Sequence, residues 1–131
     1  MAVAKVTGRV NVFINGKMLL NKAGAKATGI GISGQPNVER KGIMTDAGPA
    51  GYIENVVPAR CEVTIVDRTD QSLSELVEIF GDGTIIFQTS GGTGKVYTMK
   101  NATCLGNLSL TAGEGDTTVV FEGPCWQEGV Q

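Results

Sequence analysis

The sequence predicts a mainly β domain of antiparallel strands, with many turns and one short helix laid on a sheet. Nineteen glycines separate short apolar runs instead of forming a low-complexity block, which is typical of an all-β chain. Residues 94–128 are rich in strand formers and predict three strands joined by tight connections at 105–107 and 112–115. The hydrophobic period changes to that of a helix once, within residues 70–80.

The length and composition bound the class of protein. The 131 residues are the usual size of one domain, so we expect residues 1–131 to form a single domain. A net charge of −2 and the absence of a Lys/Arg cluster argue against a protein that grips nucleic acid. The N-terminus lacks the apolar run of a signal peptide, and no window approaches a membrane span. We therefore expect synthesis in a cytoplasm and no membrane partner.

The first two strands are predicted to form a hairpin. Apolar and polar side chains alternate through residues 7–14, and the predicted core face consists of Val10, Val12 and Ile14. Asn15 and Gly16 follow, and this pair favours a type I′ turn because both central residues of that turn need a positive φ. Residues 17–20 then return as the second strand.

A long segment, residues 21–51, contains seven glycines and two prolines, and only residues 38–44 within it resemble a strand. A structureless segment of this length inside a compact domain is generally functional, disordered, or ordered by something else. Its apolar side chains need cover from water, so we predict a partner surface at Ile30, Ile32, Val38, Ile43 and Met44. The alternative is that the segment folds back on its own domain as an extended hairpin.

Two strands and a helix are predicted next. Residues 52–57 and 59–67 are strands separated by Pro58, which does not fit a central ladder, and Cys61 lies on the core face of the second. A helix of about residues 71–80 follows. Its apolar face is formed by Leu73, Leu76, Val77 and Phe80.

The ends of this helix carry local signals. Ser72 and Glu75 have the spacing of a capping box, and Gly81 stands where a helix-ending glycine belongs. Residues 84–89 then predict another strand, with Ile85 and Phe87 facing inward.

The sequence contains partial matches to cofactor-binding motifs, but each lacks a feature that the site requires, and no catalytic motif is present. Residues 29–34 match GxGxxG, but a dinucleotide site needs a strand before the glycines and a helix after them. Residues 91–95 resemble a phosphate loop without its first glycine and without Ser or Thr after the lysine. The chain has no histidine, which removes the usual general base and metal ligand. We predict no catalytic, cofactor or metal site, and a protein that is not an enzyme.

Short motifs in the strand-rich regions point to a family. Asn101-Ala102 closes a strand, Gly-Asn-Leu-Ser-Leu spans 106–110 and Val-Val-Phe-Glu-Gly spans 119–123. Gly-Pro-Ala-Gly-Tyr, at 48–52, precedes a strand pair and a single helix. In these motifs and in the order of its strands, the chain resembles the tail tube proteins of Mu-type contractile-tailed bacteriophages.

The resemblance implies a β-sandwich or half-barrel with one flanking helix. It implies rings of six copies that stack into a hollow tube, with a continuous β-barrel wall, through which DNA leaves the capsid. The implied partners are further copies of the chain, the tail sheath, the baseplate and a tape-measure protein, in a virion tail assembled in the host cytoplasm. Residues 21–51 become an arm to a neighbouring subunit, with contacts expected at Ile30, Ile32, Val38, Ile43, Met44, Pro49 and Tyr52.

A tube wall that lets DNA slide should be polar to acidic, because a lysine repeated in every subunit becomes a ring that binds phosphate. The predicted wall residues lie on the non-core faces of the strands before and after the helix: Glu62, Thr64, Thr84 and Gln88. The alternative is that these faces meet solvent or sheath.

Three cysteines cannot all pair within one chain. The simplest interpretation is that they are small buried hydrophobic residues. In a polymer that meets oxidising surroundings, a surface thiol could instead bridge neighbouring subunits, and the predicted candidates are Cys125 and then Cys104.

Two other functions stay open. One is the tube of a related contractile injection system, such as a tailocin or a secretion system, which would share the fold and differ in cargo. The other is a monomeric β-sandwich binding module whose glycine-rich loop holds a ligand.

Overall fold

The computed structural model describes residues 8–19, 21–31, 36–68, 72–89 and 94–130. These residues form ten strands and one short helix: β1 (Val10–Ile14), β2 (Lys17–Leu19), β3 (Lys26–Thr28), β4 (Val38–Thr45), β5 (Gly48–Val56), β6 (Ala59–Val66), α1 (Leu73–Val77), β7 (Gly83–Thr89), β8 (Lys95–Cys104), β9 (Asp116–Gly123) and β10 (Gln127–Val130). The predicted mainly β fold with a single helix is confirmed. Within the described ranges, no helix has the length and apolar character needed to cross a membrane.

Eight of the strands form one folded antiparallel sheet. Its order is β2-β1-β7-β8-β9-β6-β3, and β10 pairs with β8. The first part of β8 pairs with β7 and β10, whereas Thr103 and Cys104 at its end pair with β9. Asn101, with a φ of 59°, lies just before this change of partner, and Ala102 is the last residue of β8 that pairs with β7. We call the half containing β2, β1, β7, β10 and the first part of β8 sheet A, and the half containing β9, β6, β3 and the end of β8 sheet B.

The two sheets share one hydrophobic core. Val12 and Ile85 come from sheet A, Val63 and Phe121 come from sheet B, and all four are almost fully buried in one cluster. Because alternate residues of each strand point to opposite sides, the remaining residues form two outer faces, one on each side of the sandwich. The sandwich architecture is as predicted.

The local signals for the turn and for the helix start are also confirmed, whereas the helix-ending role predicted for Gly81 is wrong, because the C-cap is Glu78. Asn15 and Gly16 have φ values of 49° and 85°, and Val12 pairs with Leu19 across the β1–β2 hairpin. The Ser72 hydroxyl accepts a hydrogen bond from the Glu75 N–H at 3.3 Å at the start of α1. In both cases a short-range hydrogen-bonding or φ requirement fixes the structure.

The helix is shorter than predicted, and part of its predicted apolar face is wrong. It ends at Val77, which is 41% exposed, and Phe80 is 84% exposed. The residue turned toward the core is Ile79, because its carbonyl oxygen accepts the Cys104 N–H at 2.9 Å and this bond draws the segment onto β8. Leu76 packs into the core as expected.

The C-terminal region has three strands, but one of them is not where it was predicted. Leu108 and Leu110 lie in an irregular connection between β8 and β9, and the third strand is β10. Gly106 and Asn107 both have positive φ values, 75° and 55°. Two successive residues in the left-handed region are incompatible with an extended strand.

The segment 21–51 does not behave as one loop. Its first part belongs to the sandwich: Asn21 forms a bridge with Ile65, β3 pairs with β6, and Ile30 forms a bridge with Trp126. Its second part is β4 and the start of β5, and these two strands form a separate hairpin. The strand predicted over 52–57 begins earlier, at Gly48, so the hairpin is longer than its glycines and proline indicate.

Candidate assembly surfaces

The β4–β5 hairpin extends away from the sandwich. Its pairs run from Val38 and Val56 at the base to Thr45 and Gly48 at the tip, and residues 39–47 are all exposed. At about 3.4 Å per residue, an eight-residue strand reaches roughly 27 Å. The base is held by two backbone bonds: Asn37 donates to Pro124 at 2.9 Å, and Val57 donates to Asn37 at 3.0 Å.

The hairpin has two different faces. On one face Arg40 and Glu54 form an ion pair at 2.9 Å. The ring of Tyr52 lies over Gly42 on the same face, where an added Cβ would be 3.3 Å from the ring. On the other face Lys41 stands opposite Ile53, and Ile43 stands opposite Gly51. We call this second face the Lys41 face.

Large hydrophobic side chains are exposed along this hairpin. Their exposed fractions run from 37% for Ile43 to 76% for Tyr52, and the set consists of Ile43, Met44, Tyr52, Ile53 and Val56. Contiguous apolar surface on a soluble protein commonly marks an interaction site. The hairpin therefore has the character of a surface that another molecule covers.

Five of the seven predicted contact residues lie on the hairpin: Val38, Ile43, Met44, Pro49 and Tyr52. Ile30 is also exposed, but it belongs to the sandwich, where it forms a bridge with Trp126, so its predicted contact stays a prediction. Ile32 lies outside the described residues. Sequence reasoning missed Ile53 and Val56 as exposed apolar residues. The sequence does carry a signal for them: in a strand over residues 52–57, Ile53 and Val56 lie on opposite faces, so a strand with only one core face leaves one of them exposed.

The four predicted wall residues divide between two surfaces. Glu62 and Thr64 lie on the outer face of sheet B, in β6, while Thr84 and Gln88 lie on the outer face of sheet A, in β7. All four are half-buried. Since the two sheets share a core, the two pairs point to opposite sides of the sandwich and do not form one surface.

The outer face of sheet B carries charges in pairs. Arg60 and Glu62 approach to 3.3 Å, and Lys22 and Asp116 approach to 2.6 Å. The hydrogen bond with Lys22 lowers the pKa of Asp116, and the same bond raises the pKa of Lys22. Lys26 stands in register with Glu62. Arg60 and Lys22 on this face are thus ion-paired, whereas the exposed Lys26 has as its neighbour the Glu62 that Arg60 already contacts.

The outer face of sheet A is different. The outward positions of β1 and β7 carry no charge, and they are Asn11, Phe13, Thr84, Ile86 and Gln88. Lys100, two residues after Thr98 in β8, is exposed, and the described residues show no ion pair for it. The face is thus mixed polar and apolar, with a lysine at its end.

A smaller apolar surface lies beside the helix. Val77, Phe80 and Leu105 are 41%, 84% and 49% exposed, and we call these three residues the helix patch. Two hydrogen bonds hold their segments side by side: Cys104 donates to Ile79 at 2.9 Å, and Gly81 donates to the Thr103 hydroxyl at 2.8 Å.

All three cysteines are buried and free. The core position predicted for Cys61 is confirmed, and burial, with a smaller contribution from Glu62, raises the pKa of the Cys61 thiol to about 12. Cys104 and Cys125 are each 7% exposed, so the protomer does not present either of them as a surface thiol. The disulfide between subunits stays a prediction that the protomer does not test. Among the described residues, no group of three or more His, Cys, Asp or Glu could hold a metal ion.

Comparison with known proteins gives one family match and several similar folds. The model of the family described as phage tail tube protein matches residues 3–128. The anti-feeding prophage cap, a tube-terminating cap, has a TM-score of 0.66 at 9% identity and covers 100% of this chain and 94% of its own. No curated protein matches the chain significantly.

Two further solved structures come from an extracellular contractile injection system, PVC, in the extended state. A chain of its sheath–tube complex has a TM-score of 0.62 at 9% identity, with 96% of this chain and 91% of that chain covered. A chain of its sheath/tube terminator also scores 0.62 at 9% identity, with 93% and 94% covered. At this identity the likeness concerns the fold.

The family match extends over nearly the whole chain, and the folded antiparallel sheet with one helix is the fold of these tube and cap proteins. The family match also confirms the resemblance found in the sequence. The chain therefore belongs to the phage tail tube protein family and is a structural protein of the phage tail.

Proposed function

We propose that the protein forms closed rings of six subunits that stack into the hollow tail tube through which DNA is ejected into the host. The observation that carries this proposal is the β4–β5 hairpin, which exposes five large hydrophobic side chains and has no strand partner in the described sandwich. Fully burying one such side chain is worth about 1.5–3 kcal/mol. A contact in which a neighbouring subunit covers the hairpin would thus be stabilised by several kcal/mol.

The strand edges support the same proposal. The hairpin has an outer edge on each strand, and such edges present N–H and C=O groups that can pair with another chain. A head-to-tail contact that closes gives a ring, and an axial contact that does not close gives a tube of open length. Ring closure and stacking together would cover both the exposed apolar side chains and the unpaired strand edges of the hairpin.

The other partners follow from the resemblance and from the similar structures. An open-ended stack needs an external length determinant, which is the role proposed for a tape-measure protein. The PVC structures contain a sheath with a tube, and we propose a sheath around this tube and a baseplate at its end. Assembly takes place in the host cytoplasm.

We assign the channel wall to the outer face of sheet B, which holds Glu62 and Thr64. A cation that is already paired with a carboxylate offers little to a passing phosphate, whereas a lysine without such a pair would bind it in every subunit. The pairs Arg60–Glu62 and Lys22–Asp116 meet this condition, and the remaining lysine of this face, Lys26, stands in register with the Glu62 carboxylate. Sheet A ends in Lys100 and carries apolar residues, which suit a contact with protein.

A tube of a related injection system is the second candidate, because the similar solved structures belong to such systems. Its assembly would be the same and only the cargo would differ, so DNA inside assembled particles distinguishes the two. A monomeric binding module would instead leave the hairpin uncovered at all concentrations.

Negative-stain electron microscopy and sedimentation of the purified protein test the proposal. We expect rings or tubes from the intact chain. In a shortened variant, residues 40–54 are replaced by Asn-Gly, which joins the paired residues Glu39 and Asn55 and removes Ile43, Met44, Tyr52 and Ile53. This variant should fold and stay monomeric. Residues 21–30 are kept, because β3 belongs to the sandwich.

Two results would contradict the proposal in different ways. An intact chain that sediments as a monomer at every concentration would favour the binding module. A shortened variant that still grows tubes would remove the hairpin from assembly while leaving the tube itself in place.

A further inference from the structure

The helix patch lies in an acidic part of the molecule. No Lys or Arg occurs between Arg68 and Lys95 in the sequence. Glu75 is paired with Lys17 at 3.6 Å, but Glu78 and Asp82, which flank Phe80, are exposed and have no cation partner among the described residues. The patch is thus an apolar surface with two carboxylates at its border.

The part of the Lys41 face nearer the tip combines one cation with apolar side chains, and Glu39, opposite Asn55, lies on the same face nearer the base. Lys41 is exposed and stands opposite Ile53 instead of an acid. Ile43 and Ile53 are 37% and 47% exposed. The neighbouring Arg40 is already paired with Glu54 on the opposite face, so Lys41 is the cation available here.

The two surfaces do not cover each other within one protomer. Phe80 is 84% exposed, and the hairpin residues near Lys41 are exposed as well. A hairpin whose strands reach roughly 27 Å can carry these residues to another copy. Since both surfaces expose apolar side chains and Lys41 is opposite in charge to Glu78 and Asp82, a second copy of this chain is the occupant that the composition favours.

We propose that the Lys41 face of one subunit docks on the helix patch of a second copy, with the Lys41 ammonium beside Glu78 and Asp82. The inference rests on the proposed tube and names the surface that receives the hairpin. Ile43 and Ile53 would cover Phe80 and Val77, and the charges at the border would fix the register of the contact.

Charge reversal tests the pairing. Lys41→Glu should raise the protein concentration needed for tube formation at least about 10-fold, since a carboxylate would face two others. Glu78→Lys with Asp82→Lys should do the same, and all three substitutions in one chain should restore assembly to within about threefold. Lys26→Glu makes the same charge change on the outer face of sheet B, away from both surfaces, and is the control. Thermal unfolding checks that every variant folds.

Cross-linking tests the contact directly. With Ile43→Cys and Phe80→Cys in one chain, oxidised tubes should give a ladder of covalent oligomers, because each link joins two copies. Tyr52→Cys with Phe80→Cys is the matched control, since Tyr52 lies on the opposite face of the hairpin, and it should give no ladder beyond the bands of the unaltered chain.

The outcomes separate this docking from the tube. Tubes of Lys41→Glu at the wild-type concentration, or tubes of the Ile43/Phe80 cysteine variant without a ladder, would overturn the docking and leave the tube intact. An unaltered chain that never polymerises would overturn the tube.

Discussion

The indole ring of Trp126 meets the ring of Phe87 edge to face, with centroids 6.0 Å apart and an interplanar angle of 70°. Trp126 is fully buried, and its Nε1–H donates to the Arg60 carbonyl at 3.1 Å. Through these contacts one side chain joins β7 of sheet A to β6 of sheet B. The closure of the sandwich therefore depends on the C-terminal segment.

Replacing Trp126 should be costly. We expect Trp126→Ala to lower the free energy of unfolding by about 3–5 kcal/mol, and Trp126→Phe to cost less, because a ring still fills part of the space. Urea denaturation measures both. The half-buried Gln127 is the control, and Gln127→Ala should change stability by less than about 1 kcal/mol. A loss below about 1 kcal/mol for Trp126→Ala would contradict the role given to this contact.

Gly29 should tolerate a side chain less well than Gly24. Both have φ values near 100°, +97° and +98°, but a Cβ on Gly29 would be 2.7 Å from the Ala59 Cα, while a Cβ on Gly24 would meet nothing within 4 Å. Both Ala variants lose about 1–2 kcal/mol from the left-handed backbone. The clash at Gly29 should add about 1–3 kcal/mol. Equal losses in chemical denaturation would show that the close approach is absent.

The Lys22–Asp116 pair should make stability depend on pH at both ends of the scale. The lowered pKa of Asp116 gives stability that is present above the usual carboxyl pKa, about 3.9, and is lost as pH falls through the lowered pKa. The raised pKa of Lys22 gives stability that is present below 10.5 and is lost as pH rises through the raised pKa.

Lys22→Gln should therefore lower the thermal midpoint at pH 7, and the difference from the unaltered protein should shrink in strong acid and in strong base. Lys17→Gln is the control. Because the Lys17–Glu75 pair is longer, at 3.6 Å, and more exposed, its loss should change the thermal midpoint less. A difference for Lys22→Gln that does not change with pH would point to lost packing instead of lost charge.

The thiols should react slowly while the protein is folded. A pKa of about 12 keeps Cys61 neutral at pH 8, and the thiolate is the reactive form. The rate of thiol alkylation should therefore be limited by local or global unfolding of the protein, and alkylation should become fast in denaturant. On non-reducing gels, a covalent dimer from oxidised tubes that disappears with Cys125→Ala would support the predicted bridge. Only monomer, with all three thiols free after unfolding, would remove it.

Features with a local cause could be predicted from the sequence. Asn15-Gly16 specifies its turn, Ser72 and Glu75 specify the start of the helix, and alternation places Cys61 in the core. The division of residues 21–51 could not be predicted, because β3 is only three residues long and is a strand only through its pairing with β6. Phe80 fits a helical period, but a tertiary hydrogen bond at Ile79 ends that period first.

The candidate surfaces show the same limit. The sequence located the hairpin residues because exposed apolar side chains stand out in a glycine-rich segment. It could not separate Glu62 and Thr64 from Thr84 and Gln88, because alternation gives a core face and an outer face for each strand but not the sheet to which the strand belongs. That information comes from the pairing of β6 with β9 and of β7 with β8.

One pair of variants can decide which outer face lines the channel. Thr64 and Gln88 are both uncharged, half-buried and outside the core, one on sheet B and one on sheet A. If sheet B forms the wall, Thr64→Lys places a ring of cations in the path of the DNA. DNA release from triggered particles should then slow about 10-fold at low salt and recover as salt rises, because bound phosphates release counterions.

Gln88→Lys adds the same charge to the opposite side of the sandwich and should leave the release rate unchanged. Electron microscopy of both variants must show tubes of normal length, so that a slow release reflects the wall and not assembly. Slow, salt-sensitive release from Gln88→Lys with normal release from Thr64→Lys would assign the wall to sheet A. The paired charges of sheet B would then face the sheath side, where they could fix the orientation of a protein partner.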